Sequence, residues 1–240
     1  MIKSFFKRLV PESLKKILRD RLGVPSQEGS LKRIRQLGYN PTHCLDIGAY
    51  EGNWAVEFKQ VFPESAILMI EGQREKEPYL IKTKEKYSNV DYIIALLGAR
   101  ETSVIFNKYE TASSVLAEHN ETGAKTEIRQ LSTLDSITSG TIFKESGFIK
   151  IDTQGYELEI LKGGEKTLST AEFVLLEVSF LDIYKNCPLA ADVILFMQQR
   201  GFILYDICTL MKRPLDGMLY QADFLFIQEN SQLRNDKRWS

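Results

Sequence analysis

Cysteine and histidine are scarce in this chain of 240 residues, with three of the first and two of the second. Cys44, Cys187 and Cys208 are odd in number, far apart and without a CxxC pair, which excludes a disulfide framework and the usual zinc modules. An excess of charge of one sign is missing too: 31 Lys and Arg face 32 Asp and Glu, for a formal net charge of −1. That balance removes the global positive field of a nucleic-acid binder, so no nucleic-acid partner is expected. No hydrophobic run approaches the roughly 20 residues that a membrane-spanning helix needs. What is present is 43% hydrophobic residues, enough to argue against disorder and to let one domain bury a core without metal or disulfide. A reducing, cytoplasmic setting is the simplest expectation.

Positive charge is concentrated at the start. Lys3, Lys7, Arg8, Lys15, Lys16, Arg19 and Arg21 stand against Glu12 and Asp20. Ile2, Phe5, Phe6 and Leu9, then Leu14, Ile17, Leu18 and Leu22, recur at helical spacing on either side of Pro11. Two short amphipathic helices are expected within residues 1–30, without the continuous apolar stretch of a secretory signal. Such faces more often pack on the domain or on a second subunit, as in a homodimer. The other use is peripheral: Phe5 and Phe6 enter the inner face of a membrane and the cations meet anionic headgroups.

From Leu31 onward the pattern alternates. Helices are expected over 31–37, 53–62 and 76–87, and apolar strands over 43–47, 66–70 and 90–97. After Gly98 come two shorter, more exposed strands, over 103–109 and 125–131, around a polar loop at 111–123. Ser132-Thr133-Leu134-Asp135 then turns into a short helix. Strands over 148–152, 173–178, 202–207 and 224–228 follow, with helices over 156–161 and 191–199. Pro214 and Gly217 mark the turn between the last two strands, which should be antiparallel. The period predicts an α/β fold with a mostly parallel sheet, a main domain over 31–230 and a polar tail over 231–240.

In an open parallel sheet, ligands bind beyond the carboxyl ends of the strands, near the point where strand order reverses. The first strand ends Asp46-Ile47-Gly48-Ala49-Tyr50-Glu51-Gly52-Asn53, an acid followed by two glycines four apart and then a helix. A pyrophosphate loop would present G-x-G-x-x-G without a carboxylate at its base, so this loop disfavours NAD. Glu71 closes the second strand at a distance suited to a ribose diol. Asp46, Gly48, Gly52 and Glu71 together suit an adenosyl ligand with a cationic amino-acid portion, the character of S-adenosylmethionine.

The stretch Lys150-Ile151-Asp152-Thr153-Gln154-Gly155-Tyr156-Glu157, continuing to Leu161-Lys162-Gly163, is the most distinctive. Together with Asp46 to Gly52, Ser132-Thr133-Leu134-Asp135 and Leu175-Leu176-Glu177-Val178, it resembles the FkbM family of S-adenosylmethionine-dependent methyltransferases. The resemblance implies a class I, Rossmann-like three-layer sandwich of seven strands in the order 3-2-1-4-5-7-6. It also implies transfer of a methyl group to a hydroxyl, often on a sugar, glycan or other small molecule. The cofactor is then expected against Asp46, Gly48, Tyr50, Gly52, Asn53, Glu71 and Gly72. The chain departs from the family pattern at Gly72, where relatives carry proline, at Gln154, where they carry a second acid, and at Ser179, where they often carry histidine.

Methyl transfer to a hydroxyl needs an aligned acceptor oxygen and a proton acceptor. Asp152, at the end of a strand beside the glycine loop, is the first candidate for that base, and capping of the following helix is its competing role. Glu157 suits the helix dipole whatever the site does. Glu177 could orient substrate; with Asp152 it offers two oxygen ligands, too few to indicate a metal. His119, in the polar loop, is a further candidate base beside Ser113 and Ser114. His43, ahead of the first strand, is expected to have no chemical role. A nicotinamide-dependent oxidoreductase and a non-catalytic adenosyl-binding scaffold held at a membrane remain the alternative readings.

Overall fold

A computed structural model describes residues 22–108, 113–119 and 125–239. The two helices expected before Leu22, with their lipid or packing role, lie outside these residues, as do both ends of the polar loop. The first described helix, α1 (Gln27–Gln36), starts four residues before the expected position. Ser26 caps it by accepting the Gly29 N–H at 3.1 Å. The division expected between residues 30 and 31 therefore falls inside a helix.

Strand β1 (His43–Ile47), helix α2 (Asn53–Val61), strand β2 (Ala66–Glu71), helix α3 (Glu77–Lys86) and strand β3 (Val90–Ile94) follow in the expected rhythm. The strand expected over 90–97 breaks at Ala95. The Ala95 N–H donates to the Glu71 carbonyl at 2.9 Å as a last rung, after which Leu96–Leu97 leave as β4. There β4 pairs in parallel with β6 (Lys125–Ser132), which is also antiparallel to β5 (Thr102–Lys108). This small sheet is held by Leu96, Phe106 and Leu131, which form an apolar cluster of their own.

The chain then runs through α4 (Leu134–Thr138), β7 (Phe148–Ile151), α5 (Glu157–Lys162), α6 (Glu165–Leu168), β8 (Phe173–Ser179), α7 (Ala190–Gln198), β9 (Phe202–Lys212) and β10 (Leu219–Gln228). The large sheet has the order β3-β2-β1-β7-β8-β10-β9. It is parallel from β3 to β8, and β10 runs antiparallel to both its neighbours. In strand-only terms this is 3-2-1-4-5-7-6, the expected class I methyltransferase order. The last two strands are longer than expected because their polar residues, among them Asp206, Thr209, Gln221 and Asp223, sit inside the ladder.

Period-two alternation gives the sheet two apolar faces. Leu45, Ile47, Ile149, Ile151 and Leu176 pack on one side. Cys44, Met69, Phe148 and Phe173 pack on the other, against Phe58 and Phe62. All three cysteines are free and buried. The tail expected at 231–240 is tied down at its start, where Ser231 donates to the Glu172 carboxylate. Among the described residues no helix is long and apolar enough to cross a membrane.

Candidate active site

The carboxyl ends of β1, β2 and β7 meet where strand order reverses, and a cleft of about 270 Å³ opens there. Its volume is close to the lower bound of about 300 Å³ for small-molecule pockets. β1 delivers Gly48, whose φ is +74° and whose imagined Cβ would stand 1.8 Å from the Asp152 carbonyl oxygen. The N–H groups of Gly48 and Ala49 both donate to the Ile70 carbonyl, tying the turn to β2.

Glu71 then clamps the two loops at the cleft rim. One carboxylate oxygen accepts the Tyr50 N–H at 2.7 Å, and the other accepts the Gln73 N–H at 2.7 Å. Burial raises its pKa, and these two N–H donors pull the other way.

Beneath the Gly48 turn lies a buried ion pair. Asp46 and Lys150 are register partners across β1 and β7, with Nζ 3.1 Å from Oδ1. Lys150 also donates to the Gly48 carbonyl at 3.1 Å and stands 3.8 Å from Asp152 Oδ2. Burial alone would lower the lysine's pKa, but Asp46 and Asp152 outweigh it and raise the pKa, so the ammonium stays charged.

Asp152 ends β7 and faces the cleft, its side chain 39% exposed. The turn behind it places Gln154 at φ +57° and Gly155 at φ +94°. Glu157, not Asp152, collects the turn's backbone donors: Oε1 accepts the N–H groups of Thr153 at 2.9 Å and Gly155 at 3.1 Å. Burial pushes the Glu157 pKa up to about 7 against those hydrogen bonds. Gln154 joins what β7 and β8 hold apart, donating from Nε2 to Asp152 Oδ1 at 3.2 Å and to Glu177 Oε2 at 2.9 Å. Its Oε1 accepts the Tyr184 hydroxyl at 2.9 Å. Gln221 donates a second hydrogen bond to Glu177 Oε2 at 3.0 Å. Burial, then the charges of Asp152, Glu157 and Asp223, raise the Glu177 pKa well above its ordinary value.

The small sheet and the segment at 113–119 wall the cleft. Leu96, Leu97, Phe106, Val115, Tyr156 and Ile160 line it as an apolar slot opposite Glu71. Ser114 pairs with Asn107 through two backbone hydrogen bonds, and its hydroxyl donates to the Gln154 carbonyl at 2.9 Å. The same segment is tied at its far end, where the Lys185 N–H donates to the Ala117 carbonyl at 2.8 Å.

Of the residues expected to hold a cofactor, Gly48, Tyr50, Glu71 and Gly72 line the cleft. Asp46, fully buried, lies under the turn with Lys150. Gly52 caps α2 at φ +76° and packs against Thr83 and Met69, and Asn53 is exposed on the first turn of that helix. Of the expected catalytic groups, Asp152 lines the cleft and Glu177 stands behind it through Gln154. His119 is outside the described lining. Its N–H donates to the Ile183 carbonyl at 3.0 Å, which turns it toward Asp182, 3.8 Å from its imidazole, with half of the side chain exposed. Among the described residues no group of three or more His, Cys, Asp or Glu could hold a metal.

Sequence reasoning gave Lys150 no role, although a lone cation in the apolar strand Phe148–Ile151 marks a buried partner. It also missed Tyr184 and Gln221, which reach the site from 30 and 44 residues away. No local pattern signals them.

The strand order, the glycine turn at β1 and the acid ending β2 define a class I methyltransferase fold. More narrowly, the chain belongs to the FkbM methyltransferase family: the model of the methyltransferase FkbM domain matches residues 46–204. Among solved structures it is similar to the methyltransferase FkbM from Methylobacillus flagellatus KT, at 17% identity and a TM-score of 0.48. That match covers 76% of this chain and 43% of the other, so the chain spans less than half of that relative's length. EvdMO1 matches at 14% identity and a TM-score of 0.50, over 84% of this chain and 40% of that one. Magnesium protoporphyrin IX methyltransferase from Synechocystis PCC 6803, crystallised with bound S-adenosylmethionine, matches at 10% identity and a TM-score of 0.49, over 84% and 76% of the two chains. No curated protein matches the chain in sequence.

Proposed function

We propose that this chain is an S-adenosylmethionine-dependent methyltransferase acting on a hydroxyl of a sugar, glycan or other small molecule. One observation carries the reading: a carboxylate fixed by two backbone N–H groups, Glu71, and a second carboxyl, Asp152, line one cleft with an apolar slot, and Glu177 stands behind Asp152 across Gln154. The donor set fits the cofactor. Glu71 keeps acceptor capacity for ribose hydroxyls, Leu96, Phe106, Val115 and Tyr156 exclude water around an adenine, and the Gly48 turn leaves room beside Tyr50 for the amino-acid portion. When bound, S-adenosylmethionine supplies an electrophilic methyl group on a sulfonium sulfur.

The protein's share of the chemistry is alignment and proton removal. As the acceptor oxygen gains its bond to carbon and the sulfur–carbon bond breaks, the hydroxyl proton passes to a carboxylate. Asp152, held by Lys150 and Gln154, orients the acceptor at the cleft wall. Asp152, the carboxyl that lines the cleft, is also the group placed to take that proton, and Glu177 backs it across the Gln154 amide. Incubation with methyl-labelled cofactor and a panel of glycans, lipid-linked sugars and RNA tests this. A labelled methyl ether on a sugar, lost in Asp152→Asn, is expected; label on RNA, or on nitrogen or carbon, would overturn the acceptor assignment.

A further inference from the structure

The loop after β7 places an amide between two carboxyls. Gln154 stands between two carboxyls that belong to different strands, donates to both, and is held from behind by a tyrosine. Its backbone is in the left-handed region at φ +57°, which a non-glycine residue adopts when its surroundings hold it there.

Which end of the amide faces the carboxyls follows from chemistry. Nε2 lies 3.2 Å from Asp152 Oδ1 and 2.9 Å from Glu177 Oε2, and its two N–H groups can serve both oxygens, since a carboxyl oxygen accepts whether or not the other oxygen of its group carries a proton. Oε1 is then left for a donor, and the Tyr184 hydroxyl, on a 2% exposed residue, supplies one at 2.9 Å. The backbone carbonyl of the same residue accepts the Ser114 hydroxyl, so the segment walling the cleft also presses on this turn. A space-filling side chain would make none of the three hydrogen bonds of this amide.

We infer that Gln154 is a positioning residue, whose amide fixes the Asp152 and Glu177 carboxyls relative to each other and sets the proton affinity of Glu177, with Tyr184 fixing the amide. The inference rests on the proposed methyltransferase reading for its purpose and on geometry alone for its substance. The neighbours that face Glu177 are the carboxyls of Asp152, Glu157 and Asp223, all raising its pKa, and the Lys150 ammonium, lowering it. Gln154 and Gln221 are its hydrogen-bond donors. Removing one of two donors from a carboxylate among three other acids favours the protonated form.

The test is a carbon-13 NMR titration of the Glu177 carboxyl in the full chain, comparing wild type with Gln154→Leu, near-isosteric but without donors, and with Tyr184→Phe. Gln154→Leu should move the Glu177 midpoint up by about one pH unit, a tenfold gain in proton affinity. Tyr184→Phe should move it a smaller amount in the same direction. An unchanged midpoint in Gln154→Leu, with the circular dichroism spectrum and thermal midpoint of wild type, overturns the proposal. Should Gln154→Leu fail to fold, Tyr184→Phe decides alone: a Glu177 midpoint identical to wild type overturns the proposal. Calorimetry with S-adenosylmethionine on the same samples separates the two ideas. No binding by wild type defeats the methyltransferase reading, whereas the titration speaks only to Gln154.

Discussion

Lys150 and Asp46 form a buried ion pair across adjacent parallel strands, with 3.1 Å between Nζ and Oδ1, directly under the glycine turn that rims the cleft. Both side chains are almost wholly inaccessible, at 6% and 0%. Removing one partner strands the other charge in the interior. Asp46→Asn or Lys150→Met should each cost about 3 to 5 kcal/mol of stability. The apolar double replacement Asp46→Leu/Lys150→Met should recover much of that loss. Urea unfolding of the three variants checks it, and equal losses in the single and double variants would contradict the pairing.

Gly48 and Gly38 make a controlled comparison. Both have positive φ, +74° and +94°, but a Cβ at Gly38 meets nothing within 4 Å, whereas one at Gly48 meets the Asp152 backbone. Gly38→Ala carries the conformational cost alone, about 1 kcal/mol. Gly48→Ala adds a backbone collision that must shift the end of β7, and should cost at least about 2 kcal/mol more. Thermal melts of the two variants give the difference directly.

Glu157 makes stability depend on pH in a definite direction. Its folded pKa, about 7, lies above the ordinary 4.5 because it is buried. Between those values the folded state binds more protons than the unfolded chain, so its contribution is full below about pH 4.5 and is lost as pH rises through about 7. The loss is about 3 kcal/mol at most. Gln at this position keeps an acceptor oxygen for Thr153 and Gly155 and does not titrate. Wild-type stability should therefore fall relative to Glu157→Gln across that window in pH-dependent denaturation. Parallel profiles would show that Glu157 does not titrate there.

The sheet was legible because buried parallel strands are short apolar runs separated by helical periods, and Asp46, Glu71 and Asp152 sit where such strands end. Side-chain alternation could not reveal the exit at Ala95, which depends on pairing of Leu96 and Leu97 with a strand thirty residues on. It also undervalued β9 and β10, whose Asp206 and Asp223 are satisfied by Ser30 and Gln27 of α1 rather than by water. In the site, the residue types were readable and their roles were not. Asp46 reads as a cofactor ligand, and its partner Lys150 across β1 and β7 is not legible beside it. Asp152 reads as a base with helix capping as its competing role, and the backbone donors of the turn go to Glu157. His119 reads as a candidate base, and its N–H pairs with Ile183 outside the described lining. The contacts of Asp46 and His119 join segments far apart in the chain, whereas Glu157 meets Thr153 and Gly155 within its own turn.

The cleft between β1, β2 and the small sheet should hold an adenosyl cofactor against Glu71. Isothermal titration calorimetry with S-adenosylmethionine, S-adenosylhomocysteine and NAD, on wild type and Glu71→Gln, tests it most directly. Both adenosyl ligands should bind wild type, NAD should not, and Glu71→Gln should bind the two about tenfold or more weakly, the worth of a hydrogen bond to a charged group. Binding of NAD without either adenosyl ligand, or unchanged affinity in Glu71→Gln, would contradict it.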